Sequence, residues 1–112
     1  MVHIALEQEV PEILNIVGRI FPNHSLAEKG GNSLREQIMA REYIPFVERS
    51  KDDNIVGHGG IFINGGIGFL QGLAVLPEFR GRGIGRKLTE SRISYCLENQ
   101  KISHIVLYSV ID

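Results

Sequence analysis

The densest group of chemically suggestive residues is a run of alternating arginine and glycine in the second half of the sequence. This run, Arg80–Arg86 (RGRGIGR), follows the apolar stretch Leu73–Pro77 and precedes a segment with helical periodicity. Glycines remove side chains that would keep an anion away from backbone amides, and they permit positive φ values. The first amides of a helix lack intrahelical partners and lie at the positive end of its dipole. The run therefore predicts a phosphate or pyrophosphate site.

Two better-known phosphate-binding patterns do not fit this run. A P-loop requires Gly, four residues and then Gly-Lys-Ser/Thr, and no register of the sequence supplies it. The dinucleotide fingerprint requires Gly-x-Gly-x-x-Gly and an acid about 20 residues later. Here the third glycine, Gly85, comes one residue too early, and Ser103 lies near the place of the acid. These departures disfavour a nucleotide-binding module.

Composition and charge bound the kind of protein that carries this loop. The 112 residues fit one domain, and we predict a single domain over residues 1–112. A hydrophobic fraction of 43% and a net charge of −1 indicate a globular chain without nucleic acid or membrane as partner. A single cysteine, Cys96, excludes an internal disulfide and a thiolate-rich zinc site, so no metal is expected. The sequence shows no signal-peptide pattern and no long apolar run, which predicts a cytoplasmic protein.

Apolar periodicity predicts a short first strand and two helices in the first part of the chain. The strand is Val2–Leu6, and the helix after it tolerates proline in its first turn and ends at Phe21–Asn23. A second helix over Ser33–Arg41 begins with a Ser-x-x-Glu capping box and would bury Leu34 and Ile38.

A period of two then predicts three antiparallel strands. The strands Ile44–Glu48 and Ile55–Ile63 are separated by a polar turn. Asn64-Gly65 is the strongest short signal for a type I′ hairpin turn, whose two central residues need positive φ. The third strand is Ile67–Leu76, which ends at Pro77. These strands form an antiparallel meander.

The last third of the chain predicts a crossover to a parallel strand. A helix over Ile84–Asn99 is followed by Ile105–Val110, which is apolar on both faces. That composition is typical of an internal, buried strand of a parallel pair. The predicted order β-α-α-β-β-β-α-β is a mixed α/β (α+β) fold, in which the antiparallel meander precedes a parallel βαβ crossover.

The apolar stretch Leu73–Pro77, the pattern Arg-x-x-Gly-x-Gly at Arg80–Gly85 and the amphipathic helix occur in the order found in one known family. Together they resemble motif A of the GCN5-related N-acetyltransferase (GNAT) superfamily, and the upstream order of elements agrees over nearly the whole chain. The resemblance implies an acyltransferase that moves acetyl from acetyl-CoA, its cosubstrate, to a primary amine. The amine would attack the thioester directly.

The resemblance also implies where acetyl-CoA would bind. In that family the loop amides hold the pyrophosphate, and the pantetheine arm lies in a gap between the fourth and fifth strands. A backbone contact to the thioester carbonyl acts there as an oxyanion donor, and one such donor is worth ~3 kcal/mol in the barrier. By position, the cofactor-binding residues implied here are Leu73, Ala74, Val75, Arg80, Gly81, Arg82, Gly83, Ile84, Gly85 and Arg86.

The group that would remove a proton from the amine is not identified by the resemblance. A lysine-like amine has a pKa of ~10.4, so attack needs a base or a water relay. Several relatives place a glutamate on the fourth strand, where Phe69 lies here. Gln71, on the same face, can orient a water but cannot act as a base. Glu48 and His58 are the titratable candidates for the base. The alternative for Glu48 is an ordinary solvated strand residue, and the alternative for His58 is a structural histidine.

The end of the sequence departs from the family pattern. The family continues past the fifth strand with an asparagine, a helix that often carries an acidic tyrosine, and closing strands, whereas this sequence ends at Asp112. Tyr108 lies within the predicted strand and does not replace that tyrosine. Either the sequence is a truncated product, or another chain completes the sheet. A homodimer formed through the uncovered edge of Ile105–Val110 would be one such completion. Without the strand glutamate and the acid, a non-catalytic acyl-CoA-binding or regulatory module is the alternative to an enzyme.

Overall fold

A five-stranded sheet with helices on both faces forms the framework of the protein. The structure is a computed structural model that describes residues 1–21 and 34–107. The strands, which lie in the sheet in chain order, are β1 (His3–Ile4), β2 (Tyr43–Arg49), β3 (Ile55–Asn64), β4 (Ile67–Val75) and β5 (His104–Leu107). The helices are α1 (Val10–Ile20), α2 (described over residues 34–39) and α3 (Ile84–Glu98).

The sheet combines the two strand directions that the sequence predicts. Strands β1 to β4 pair antiparallel with their neighbours, and β5 pairs parallel with β4. The crossover from β4 to β5 runs through α3. The mixed α/β order is therefore confirmed. The predicted cap of the second helix at Ser33 lies outside the described residues.

The hairpin between β3 and β4 turns one residue later than predicted. Asn64 belongs to β3 and pairs with Ile67, so the two turn residues are Gly65 and Gly66. Their φ values are 58° and 80°. A type I′ turn needs positive φ at both positions, and a second glycine reaches it with less strain than asparagine. The Asn64-Gly65 prediction was wrong by one position.

The last strand is an edge strand of the described sheet and is not buried on both faces. Among the described strands, β4 is its only neighbour, and the exposed fractions of Ile105, Val106 and Leu107 are 37%, 37% and 53%. The predicted parallel pairing is confirmed, but the predicted internal position is wrong. Apolar composition records what a strand can bury and does not reveal what covers it. Residues 108–112, which include Val110, lie outside the described part.

Each face of the sheet carries its own hydrophobic core. On one face, α1 packs its residues Ile13 and Val17 against β2 and β3, together with Leu34 of α2. On the other face, α3 packs Leu88 and Cys96 against β3 and β4. Leu34 is buried as predicted, and Cys96 is the small buried apolar group that the sequence indicates. The sheet is thus held from both sides, which keeps β4 and its loop in place.

An ion-pair cluster joins the start of α1 to the end of β2. Arg49 Nη2 lies 2.7 Å from Glu9 Oε2 and 3.0 Å from Glu12 Oε1. The other oxygen of Glu9 accepts a hydrogen bond of 2.9 Å from the Leu6 amide. Burial alone would raise the pKa of Glu9, but the bonds from Leu6, Arg49 and His3 together lower it below its ordinary value.

The described residues contain neither a membrane-spanning candidate nor a metal cluster. None of the helices in residues 1–21 and 34–107 is long and apolar enough to cross a bilayer. Within the same residues, no three His, Cys, Asp or Glu side chains converge to hold a metal ion.

Candidate functional site

The glycine–arginine loop connects the end of β4 to the start of α3. One 3-10 turn, Pro77–Phe79, leads from the strand into the loop. Gly81 and Gly83 have φ values of 78° and 81°, and Gly83 is the N-cap of α3. Any other residue would strain the backbone at these two positions. The glycines therefore shape the turn that the sequence predicts.

The backbone amides at the start of α3 are available to a ligand. The first helical bond from the loop runs from the amide of Lys87 to the carbonyl of Gly83, over 3.0 Å. Within residues 1–21 and 34–107, no acceptor bonds the amides of residues 81–86. No acidic side chain stands in the first turn of α3. The positive end of the helix dipole thus meets several free donors, which is the arrangement that binds phosphate groups.

The arginines around these amides have different tasks. Arg80 Nε donates a hydrogen bond of 3.0 Å to the carbonyl of Val75, which ties the loop to the end of β4. The guanidinium of Arg82 lies 4.9 Å from the centroid of the Phe79 ring. The side chain of Arg86 is 83% exposed and lies 3.7 Å from Glu90. Arg80 is part of the loop's own structure, whereas Arg82 and Arg86 supply charge at its surface.

A glycine bulge interrupts β4 before the strand reaches the loop. Two residues of β4, Gly72 and Leu73, lie opposite the single residue Gly59 of β3. The φ of Gly72 is 73°, which makes this the type of bulge that requires glycine in the left-handed region. Bulges of this kind re-aim the backbone and occur next to active sites. Leu73 therefore lies where the bulge changes the direction of the strand.

The described pairing of β4 with β5 ends before the segment of β4 that carries the predicted cofactor contacts. The last described pair of the two strands is Leu70 with Leu107. In the described part of the chain, no strand pairs with residues 71–75 on that side. Leu73, Ala74 and Val75 belong to this segment, so their backbone groups can meet an extended ligand at the edge. The loop amides lie immediately beyond its end.

A cavity of about 410 Å³ lies beside α2 and ends at the same point of β4. Its lining includes Phe69 and Gln71, the two residues that the sequence analysis places on one face of the fourth strand. Glu42, which sequence reasoning missed, supplies the carboxylate of this lining. The complete lining is Gln37, Glu42, Phe62, Ile63, Asn64, Phe69 and Gln71. The sequence shows Glu42 only as an acidic residue between a helix and a strand. Because such residues are usually solvated, this position alone does not indicate a functional site.

His58 lies fully buried beneath the bulge and is held by hydrogen bonds at both ring nitrogens. Its Nδ1 lies 3.1 Å from the carbonyl of Phe46 and its Nε2 lies 2.8 Å from the hydroxyl of Tyr43. Because a carbonyl only accepts, Nδ1 carries the proton, and Nε2 accepts from the Tyr43 hydroxyl. Burial is the largest influence on the pKa of Tyr43 and raises it. This geometry favours a structural role for the pair.

Glu48 is buried, so the solvated alternative considered from the sequence is wrong. Its Oε2 lies 2.8 Å from the terminal nitrogen of Met1, in an ion pair without hydrogen-bond geometry. Glu48 pairs in register with Gly57, which abuts α3. Gln71 pairs with Gly60 and opens into the cavity beside α2. The structure therefore places Glu48 on one face of the sheet and Gln71 on the other.

Comparison with known proteins connects this geometry to a family. The profile of the Acetyltransferase (GNAT) family matches residues 10–111. An uncharacterized N-acetyltransferase of Archaeoglobus fulgidus is 48% identical over 40% of this chain and 31% of its own length. An N-acetyltransferase of Bacillus subtilis, named for an alanine of a ribosomal protein, is 27% identical over 60% of this chain and 44% of its own length. The chain thus matches less than half of each relative.

A solved structure repeats the fold over almost the whole chain. It is an acetyltransferase of Clostridium acetobutylicum, solved with acetyl-CoA. Its TM-score to this protein is 0.81 at 14% sequence identity, and the match covers 97% of this chain and 80% of the other. At that identity the likeness establishes the fold alone, which is the mixed five-stranded sheet described above.

Proposed function

Because the chain belongs to the Acetyltransferase (GNAT) family, we propose that it moves acetyl from acetyl-CoA to a primary amine. The observation that carries this proposal is the group of unbonded amides over residues 81–86 at the start of α3. The acetyltransferase named above was solved with acetyl-CoA, which supports the same cosubstrate here. We place the protein in the cytoplasm and treat residues 1–112 as a single domain.

The free amides at the start of α3 hold the pyrophosphate of acetyl-CoA in this proposal. Arg82 and Arg86 screen its charge from the solvent side, and Arg80 keeps the loop against β4. The pantetheine arm follows the open edge of β4, bonded by backbone groups of residues 73–75. The thioester then lies at the bulge, where a backbone amide can stabilise the oxygen of the tetrahedral intermediate.

The acceptor amine enters through the cavity beside α2. The carboxylate of Glu42 attracts the ammonium form, which must lose a proton before it attacks. The amine nitrogen then bonds to the carbonyl carbon, and the C=O electron pair moves to the oxygen. When this pair returns, the C–S bond breaks and the nitrogen's remaining extra proton passes through water to the departing sulfur, so that CoA leaves as a thiol. Gln71 orients that water in our proposal. The first proton, lost from the ammonium before attack, has gone to solvent.

The three candidates for proton transfer do not lie together. His58 is engaged at both nitrogens below the bulge. Glu48 lies on the face of α3, away from the cavity. Gln71 lines the cavity, one residue after the last described pair of β4 and β5. We therefore favour water oriented by Gln71 over direct base catalysis by Glu48 or His58.

The test is the release of CoA thiol from acetyl-CoA with a broad panel of amines, beside calorimetric titration with acetyl-CoA. Binding together with amine-dependent thiol release supports the enzyme. Absence of binding contradicts the proposal entirely. The resemblance also supports a second candidate, a non-catalytic acyl-CoA-binding module, because Phe69 lies near the position where several relatives have a strand glutamate. Binding without thiol release for any amine selects that module.

We also propose that two copies associate through the edge of β5. The support is the exposed edge itself, where Ile105, Val106 and Leu107 present apolar surface and the described sheet ends. A second copy of the strand would pair with the backbone of this edge and cover the side chains. Light scattering at several concentrations tests this, and a monomeric mass throughout contradicts it.

A further inference from the structure

A buried guanidinium lies beside the bulge of β4, on the face of the sheet that α3 covers. Arg92 of α3 is 1% exposed, and no carboxylate of residues 1–21 or 34–107 forms an ion pair with it. Its Nη1 donates to the carbonyl of Gly60 over 3.1 Å and to that of Gln71 over 3.2 Å. Gly60 and Gln71 face each other across β3 and β4. One nitrogen thus clamps the last regular pair before the bulge.

The remaining bonds of this guanidinium go to its own helix. Nε donates to the carbonyl of Leu88 over 3.3 Å, and Nη2 donates to the hydroxyl of Thr89 over 3.1 Å. These bonds hold the side chain in one orientation against α3. Its bonds to the sheet are therefore confined to the two carbonyls beside the bulge.

The strand beside the bulge leaves room for this side chain. A Cβ at Gly59 would lie 3.0 Å from Arg92 Cζ, so any larger residue there would push the guanidinium away from the carbonyls. Gly59 is also the residue that faces the two bulged residues of β4. The place where β3 lacks a side chain is thus the place where Arg92 reaches the bulge.

Packing alone does not account for an arginine at this position. Burial lowers the pKa of Arg92, yet a guanidinium remains protonated at physiological pH. A buried cation without an anion is costly, and an apolar side chain of similar volume often stabilises a core better. The guanidinium adds two hydrogen bonds that fix the strands at the start of the bulge, and it adds a positive electrostatic potential near the amides of the bulge. Both effects would help a carbonyl oxygen that becomes negative during acyl transfer.

We propose that Arg92 is the positioning residue that holds the β4 bulge in the geometry that the acetyl thioester needs. This inference rests on the proposed function, because it assumes that the thioester of acetyl-CoA binds at the bulge. Arg92 itself does not contact the reacting atoms and takes no proton. It acts through Gly60 and Gln71, whose carbonyls fix the strand just before Gly72.

The first experiment compares Arg92→Met with Gly59→Ala, which keeps the arginine but displaces it. We expect kcat to fall about 100-fold in Arg92→Met, because misplacement of about 1 Å at a reacting centre has that effect. The KM for acetyl-CoA should change less than about threefold, since the pyrophosphate site lies elsewhere. Gly59→Ala should also lower kcat with little change in the KM for acetyl-CoA, but the fall in kcat should be smaller. Unchanged kcat in both folded variants overturns the proposal.

Two control variants separate positioning from simple loss of stability. Leu88→Ala leaves a cavity on the same face of α3 and keeps the backbone carbonyl that Arg92 Nε uses. It should lower the unfolding midpoint and leave kcat within about threefold. Thr89→Val removes one bond of the guanidinium but leaves both strand carbonyls bonded, so its loss of kcat should be smaller than that of Arg92→Met. An equal loss of kcat in Leu88→Ala contradicts the positioning role.

Hydrogen exchange gives a readout that does not depend on turnover. Acetyl-CoA should slow exchange of the amides of residues 72–74 and of residues 81–86 in the native protein. In Arg92→Met, protection should be lost at 72–74 and kept at 81–86. Protection retained in both segments overturns the role of Arg92. If acetyl-CoA protects neither segment in the native protein, the proposed function fails instead. The role of Arg92 is then still testable without ligand, because amides 72–74 should exchange faster in Arg92→Met than in the native protein if Arg92 holds the bulge.

Discussion

The hydroxyl of Tyr43 donates a hydrogen bond of 2.8 Å to Nε2 of His58, with both side chains fully buried under the bulge of β4. Tyr43 begins β2, and His58 lies in the middle of β3. The bond therefore spans two neighbouring strands on the face covered by α1. It occupies the ring nitrogen that a general base would need.

Tyr43→Phe should destabilise the protein and spare its chemistry. The change removes the buried hydrogen bond between Tyr43 and His58, which should cost about 1–3 kcal/mol of unfolding free energy. Urea denaturation measures this loss, with Tyr95→Phe on the half-buried side of α3 as the control. We expect kcat to stay within about threefold, as suits a structural pair. If Tyr43→Phe instead slows turnover about 100-fold or more, His58 is a catalytic group.

Gly83→Asp should abolish binding of acetyl-CoA. The new residue strains a backbone with a φ of 81° and brings a carboxylate to the amides that would hold the pyrophosphate. Calorimetric titration provides the measurement. Gly65→Asp is the matched control, because Gly65 also has a positive φ and open space around it but lies in the hairpin turn. Micromolar affinity retained by Gly83→Asp contradicts the loop as the binding site.

Gln71→Leu should lower kcat about tenfold if its amide orients the water that takes the amine's proton. Gln71→Glu retains an acceptor oxygen at the same place and should restore the rate or exceed it at pH values below the pKa of the amine. Gln37→Leu, across the cavity, serves as the control and should keep kcat within about threefold. Equal rates in all three variants would remove Gln71 from the mechanism.

Glu9 should make the stability of the fold depend on pH in the acidic range. Its pKa is lower in the folded protein than the ordinary value of 4.5, because the bonds from Leu6, Arg49 and His3 outweigh the effect of burial. The ionised carboxylate therefore stabilises the folded state above about pH 5, and this contribution is lost as pH falls through the folded pKa. Denaturation midpoints measured from about pH 7 to about pH 3 should fall less steeply in Glu9→Gln. Glu7→Gln, in the same turn but exposed, should follow the native curve.

Leu107→Lys should prevent association of two copies through β5. Leu107 is 53% exposed at the edge of the sheet, and a charge on an edge strand opposes pairing with another strand. Light scattering over a concentration series gives the mass of the variant and of the native protein. Leu97→Lys is the control, since Leu97 is exposed on α3. If the native protein dimerises and Leu107→Lys does so equally well, the interface lies elsewhere.

The sequence by itself determined the elements whose signals are local. The backbone geometry of the loop Arg80–Arg86 could be predicted because glycine conformation and the start of a helix are decided within a few residues. The meander and α3 follow from periodicity for the same reason. The resemblance to a family, which the family profile confirms, depends on the order of those same local elements.

Only the tertiary structure decided which distant residues meet. Arg92 lies on an ordinary helical stripe, and nothing near it in sequence indicates that its guanidinium reaches Gly60 and Gln71. The pairing of Tyr43 with His58 and the edge position of β5 depend in the same way on how strands align and on what covers them. Such contacts join residues far apart in the chain, so their energies are set by register and packing, which single-sequence patterns do not encode.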